Sequence, residues 1–165
     1  MNLSLINELD TEKATDTFLK CCGSENWAMQ MAQARPFSSE AEVYNQAQSS
    51  WQKLARDDWM QAFDAHPKIG DIESLKKKYG ATKGWSEKEQ SGVDGADEQV
   101  LNDLSAYNKK YEEQYGYIFI VCATGKSAGE MLSILKDRIV NPPDQELANA
   151  IEEQKKITRI RLEKL

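Results

Sequence analysis

The stretch Ser24-Glu25-Asn26-Trp27-Ala28-Met29-Gln30-Met31-Ala32-Gln33-Ala34-Arg35-Pro36 decides the fold class. Trp27, Ala28, Met31 and Ala32 recur at the spacing that lines one face of a helix, Ser24 supplies a cap, and Arg35-Pro36 interrupts. The same pattern extends both ways. Upstream, Asp10 caps a segment through Phe18, Leu19 and Cys22, with Gly23 as its stop. Downstream, Ser38 or Ser39 starts a helix that keeps Val43, Ala47, Trp51, Leu54 and Ala55 in register, and Asp57-Asp58 opens a short one carrying Trp59, Met60 and Phe63. A short helix holds Ile72, Leu75 and Tyr79, and residues 80 to 85 read as a connection. Ser86-x-x-Glu89 has the form of a capping box, followed by a break from Gly92 to Gly95. From about Asp97 a longer helix carries Val100, Leu101, Leu104, Tyr107 and Tyr111. Ser127 to Val140 and Asp144 to Leu165 complete the set as amphipathic helices parted by Pro142-Pro143. Only Tyr117 to Val121 reads as extended, and it is too short and isolated to build a sheet. The expectation is an all-α bundle of about eight or nine helices with one short extended segment near 117–121.

The chain's 165 residues fit one domain, residues 1–165, and 40% hydrophobic residues are enough for its core. Twenty-one basic against 27 acidic residues give a net charge of −6, which argues against nucleic acid as a partner. Four prolines, nine glycines and a mean hydropathy of −0.68 match neither a disordered tail nor a membrane protein. The adjacent Cys21 and Cys22, with Cys122, lack the spacing of a zinc ribbon or a redox pair and read as reduced thiols. The first eight residues carry no basic, apolar leader, and Glu163-Lys164-Leu165 has Glu where a peroxisomal signal needs Ser. The expected compartment is the cytoplasm.

His66, the sole histidine, sits in His66-Pro67-Lys68-Ile69-Gly70-Asp71, a loop by its proline and glycine, after an aromatic-rich helix. Its ordinary pKa near 6.5 suits proton exchange at neutrality. One histidine with distant cysteines makes no zinc site, and nothing selects carboxylates for another metal. Ser86 and Glu89 are explained as a helix start, although a carboxylate at a helix N-terminus can also hold a substrate N–H. Gly125-Lys126-Ser127 is not a phosphate loop, because the glycine required five positions earlier is Ile120. On the last helix Lys155, Lys156, Arg159 and Arg161 alternate with apolar residues; this reads as a solvated face, unless one arginine beside the apolar stripe clamps a carboxylate. Spacing barely favours Arg161 over Arg159.

Together these segments resemble the OHCU decarboxylase family, OHCU being 2-oxo-4-hydroxy-4-carboxy-5-ureidoimidazoline. The likeness is carried by Cys21-Cys22-Gly23-Ser24 with Trp27, Ala28 and Met31; by Arg35-Pro36-Phe37; by Trp59 and Ala65-His66-Pro67-Lys68-Ile69-Gly70-Asp71. It continues through Trp85-Ser86, Glu89-Gln90, Gly92, Asn108-x-x-Tyr111, Tyr115-Gly116-Tyr117-Ile118-Phe119, Cys122-Ala123, Gly125-Lys126-Ser127 and Lys156-Ile157 to Arg161-Leu162. The resemblance implies an all-helical, cofactor-independent carboxy-lyase, a homodimer, that turns its ureidoimidazoline substrate into (S)-allantoin and carbon dioxide. By the same resemblance His66, Glu89 and Arg161 are catalytic, His66 taking or giving a proton at the 4-hydroxyl group. Pro67, Ser86 and Gln90, with backbone amides at Ile118, Phe119 and Ile120, bind substrate. Lys68 and Lys126 stand where arginine is also familiar. The competing readings are a non-catalytic helical binding domain and a lyase for a related ureide.

Overall fold

The computed structural model describes residues 1–68, 71–79 and 87–165, the side chains of 87–97 excepted. Among the described residues there are nine α-helices and no β-strand, as the helical periodicity requires. They fall into two compact units: residues 1–66, 120–122 and 149–165 form unit 1, and 67–119 with 123–148 form unit 2.

Unit 1 begins with α1 (Leu3–Glu8), α2 (Thr11–Cys21) and α3 (Glu25–Gln33), followed by α4 (Glu40–Gln52) and α5 (Arg56–Asp64). Each of the first four starts on a side chain that accepts an orphan amide: Asn2 from Leu5, Asp10 from Lys13, Ser24 from Trp27 and Ser39 from Glu42. α1 has no expected counterpart, because its six residues are too few to show a periodic face. Leu54 and Ala55 are not in α4: the chain turns after Gln52, and Ala55 opens α5, its N–H donating to Asp58 at 3.0 Å. Phe18 of α2 meets Trp27 and Phe37 edge-on, at centroid distances of 6.2 and 6.4 Å. Arg35 closes this corner, donating to the carbonyls of Ile6, Leu9 and Ala32, while the Asn7 amide pairs with both backbone groups of Phe37. The Arg35-Pro36-Phe37 motif is therefore structural.

Unit 2 contains α6 (Ile72–Tyr79), α7 (Glu87–Tyr115) and α8 (Ala128–Arg138). The expected break at Gly92 to Gly95 is absent, and α7 runs through it. Glycine costs a helix interior about 1 kcal/mol but keeps its N–H, so it weakens a helix without ending it. What ends α7 is Gly116 at φ +81°, its N–H bonded to Glu112 O at 2.9 Å. Ser127 starts α8 with a reciprocal Ser127–Glu130 capping box, the structural purpose of Gly125-Lys126-Ser127. Residues 117–121 lie outside any helix, as expected.

The last helix, α9 (Pro143–Glu163), begins with proline at the position where its missing N–H costs nothing. Through Ala148 it belongs to unit 2, and from Asn149 to unit 1. Its buried stripe falls on every fourth residue: Glu146, Ala150, Gln154, Thr158 and Leu162. Three of those five are polar, and such groups need partners when buried. No helix among the described residues is long and apolar enough to cross a membrane.

Candidate active site

The site in unit 1 is built at the end of α5. Ala65 terminates the helix, and the chain turns so that the His66 N–H meets Phe63 O at 3.2 Å. Gly23 seats this turn: a Cβ at position 23 would fall 2.2 Å from the Ala65 Cβ, so only glycine lets the α2–α3 corner lie against it. The half-buried His66 ring puts Nε2 2.6 Å from Gln154 Oε1. Gln154 is fully buried, and its Nε2 donates to Thr158 Oγ1 at 3.2 Å.

Burial lowers the His66 pKa from its ordinary 6.5, the Gln154 hydrogen bond opposes that shift, and the positive charge of Arg161 adds to it. The net direction is downward, so the imidazole is neutral at pH 7 and able to accept a proton. Arg161 is half-buried and anchored by donation to Cys21 O at 3.3 Å. Burial pushes the Cys21 and Cys22 thiols up to about 11 despite that guanidinium, so both stay protonated and unreactive. Arg159, the other arginine that spacing allowed, lies over the Tyr44 ring at 4.2 Å and pairs with Glu163 at 3.3 Å.

Unit 1 thus brings His66 and Arg161 into one electrostatic neighbourhood, and it also holds the buried Ile120. Pro67, Ile118 and Phe119 belong to unit 2, the first exposed and the others half-buried. Phe119 packs edge-on against Tyr111 at 5.2 Å with the Arg138 guanidinium 4.6 Å from its ring. Ser86 and the side chains of Glu89 and Gln90 lie outside the described residues, as does the connection at 80 to 85. Sequence reasoning missed Gln154 and Thr158. Their signal was polarity at positions in phase with Ala150 and Leu162.

Among the described residues no group of three or more His, Cys, Asp or Glu side chains gathers as a metal site would require. A cavity of about 220 Å³ in unit 1 is walled by Trp27, Tyr44, Trp51 and the α9 residues Lys155, Arg159 and Thr158, and its lining includes neither His66 nor Arg161.

These features define a helical protein whose one imidazole is half-buried, bonded to a buried amide and lowered in pKa by burial and by the charge of a guanidinium. The chain belongs to the OHCU decarboxylase family, whose model matches residues 7–163. The uric acid degradation bifunctional protein TTL of Arabidopsis thaliana is 34% identical over 154 residues, which are 93% of this chain and 48% of that protein. The 2-oxo-4-hydroxy-4-carboxy-5-ureidoimidazoline decarboxylase of Amia calva is 33% identical over 98 residues, 59% of this chain and 55% of that one. The match thus spans about half the length of each of these relatives. A crystal structure of OHCU decarboxylase in the presence of (S)-allantoin superposes with a TM-score of 0.72 at 36% identity, covering 90% of this chain and 96% of that one.

Proposed function

We propose that the protein decarboxylates 2-oxo-4-hydroxy-4-carboxy-5-ureidoimidazoline to (S)-allantoin and carbon dioxide without a cofactor, as the last step from urate to allantoin. Family membership supports the reaction class, and the observation that carries the reading is His66, a half-buried imidazole held at Nε2 by Gln154, with its pKa lowered by burial and by the charge of Arg161. The substrate supplies its own electron sink. Its carboxylate sits β to a ring C=N bond, so the C–C pair released with carbon dioxide forms a new ring C=C bond. The former C=N pair moves to nitrogen, which takes up one proton. The resulting enol then loses its 4-hydroxyl proton while the neighbouring ring carbon gains one, and the face of that gain sets the (S) centre.

The protein's part is orientation, charge stabilisation and proton delivery. In this reading His66 accepts the 4-hydroxyl proton, as a neutral imidazole can, and Arg161 grips substrate oxygens. Pro67 holds the loop, Glu89 and Gln90 hydrogen-bond the ureido and ring N–H groups or assist reprotonation, Ser86 is a further ligand contact, and the backbone of Ile118, Phe119 and Ile120 also meets the ligand. A homodimer in the cytoplasm belongs to the same proposal.

The test follows the circular dichroism of allantoin formed from urate with the two preceding activities supplied. Spontaneous decay yields racemic product, so enantiomeric excess that depends on this protein is the expected result, and racemic allantoin overturns the reading. In the same assay His66→Ala is expected to lose about two orders of magnitude or more in kcat while remaining folded. An unchanged rate removes His66 from the chemistry.

A further inference from the structure

We propose that Gln154 is a positioning residue for His66: its buried amide, held by Thr158, keeps the ring proton on Nε2 and leaves Nδ1 to exchange protons with substrate. The inference rests on the reading of His66 as the proton-exchanging group. A glutamine amide has one accepting end and one donating end, so its orientation dictates what each neighbour must supply. The donating end lies 3.2 Å from Thr158 Oγ1, which accepts it. The accepting end then faces the imidazole at 2.6 Å and can take only an N–H.

Flipping the amide would exchange both bonds, setting its NH₂ against the ring and its carbonyl against Thr158. Because Gln154 is fully buried, a lost bond is not replaced by water, and an unmet buried polar group costs about 1–3 kcal/mol. A carboxylate at this place would also accept from Nε2, but it would favour the charged imidazolium. Glutamine fixes the tautomer without adding charge. The cation that His66 senses is Arg161, which both Cys21 and Cys22 sense as well, and those thiols are neutral.

His66 is the only histidine, so [¹⁵N]histidine labelling of the whole chain gives one imidazole, whose two nitrogens are told apart by their couplings to the ring protons. Above the ring's titration, wild type is expected to show a protonated Nε2 and a bare Nδ1. Gln154→Leu should give mixed tautomers and lose about tenfold or more in kcat with little change in KM. Gln154→Glu should raise the titration midpoint of the ring by about one unit or more. Thr158→Val, which frees the amide without removing it, should fall between wild type and Gln154→Leu in tautomer purity. Should Gln154→Leu fail to fold, the glutamate and valine variants carry the test. A proton on Nδ1 in wild type overturns the proposal, as do variants that leave tautomer and midpoint unchanged. Nε2 protonation that depends on Gln154 supports it even where no enantiomeric excess forms, a result that counts against decarboxylation alone.

Discussion

Unit 1 and unit 2 each bury a polar group of α9, and they treat it in opposite ways. In unit 2 the fully buried Glu146 takes the guanidinium of Arg138, through Nε at 2.6 Å and through Nη2, the Tyr111 hydroxyl at 2.6 Å and the Asn141 amide at 3.1 Å. Tyr111, Tyr115, Tyr117 and Phe119 wrap that ion pair, and burial with the carboxylate as acceptor drives the Tyr111 pKa far above its usual value. In unit 1 the buried Gln154 carries no charge, and it meets a ring that can change its own. A charge buried among several partners has no freedom to react, whereas a neutral amide restrains an imidazole and leaves one nitrogen to work. The first arrangement sets Arg138 against the Phe119 ring, and the second leaves a titratable ring on a neutral partner.

Breaking the charged arrangement has the largest expected effect. Glu146→Ala strands the Arg138 guanidinium in an aromatic pocket and is expected to cost about 3–5 kcal/mol, read as a lower urea midpoint. The paired change of Arg138→Met with Glu146→Leu should recover most of that loss, because it removes both desolvation penalties. A double variant as unstable as the single one would mean that the aromatic packing depends on the charges themselves. Next in size is Tyr111→Phe, which deletes one donor to a buried carboxylate that keeps its other partners. It should cost about 1.5–3 kcal/mol in the same measurement.

Gly23→Ala moves the comparison to unit 1. The added methyl meets a rigid Cβ rather than a flexible side-chain end, so backbone must shift, at a cost of about 1–3 kcal/mol. Because the clash is with Ala65, one residue before His66, the His66 ring signals should move as well. A stable variant with an unmoved His66 would show that this corner does not seat the loop.

Much of this was legible before any coordinates. Ser24, Ser39 and Asp10 announce helix starts because their side chains can accept amides that the helix leaves orphaned, and Trp27, Ala28, Met31 and Ala32 bury the face that their spacing describes. Where sequence reasoning erred, local preference was overridden. Gly92 and Gly95 are permissive rather than prohibitive, so α7 continues through them, and Ala55 opens α5 only because Asp58 reaches back to its N–H. His66 and Arg161 were named from their residue types and family likeness, but spacing could not separate Arg161 from Arg159. The structure gives Arg159 the Tyr44 ring and Glu163 as partners, the first set by tertiary structure and the second by one helical turn. The phase of Gln154 with Ala150 and Leu162 marks it as buried, but a partner 88 residues away is not written in the local sequence, and a glutamine on a charged helix looks like surface.

The smallest effect is a pH dependence confined to unit 1. The folded pKa of His66 lies below its ordinary 6.5, chiefly through burial, so below pH 6.5 the unfolded chain binds this proton more readily than the folded one. The stability that a neutral ring allows is fully present above that value, declines as the pH falls toward the folded pKa, and is lost below it. The carboxylates of Asp10, Glu42 and Asp71 are also lowered in the fold, from ordinary values of 3.8, 4.5 and 3.8, so their contribution fades only in more acidic solution. Urea midpoints taken between about pH 8 and about pH 5.5 should therefore decline for wild type and stay flatter for His66→Gln, which has no ring to protonate. Equal slopes in the two proteins would mean that His66 pays no desolvation penalty on charging, and the contrast between a chargeable ring in unit 1 and a fixed ion pair in unit 2 would lose its basis.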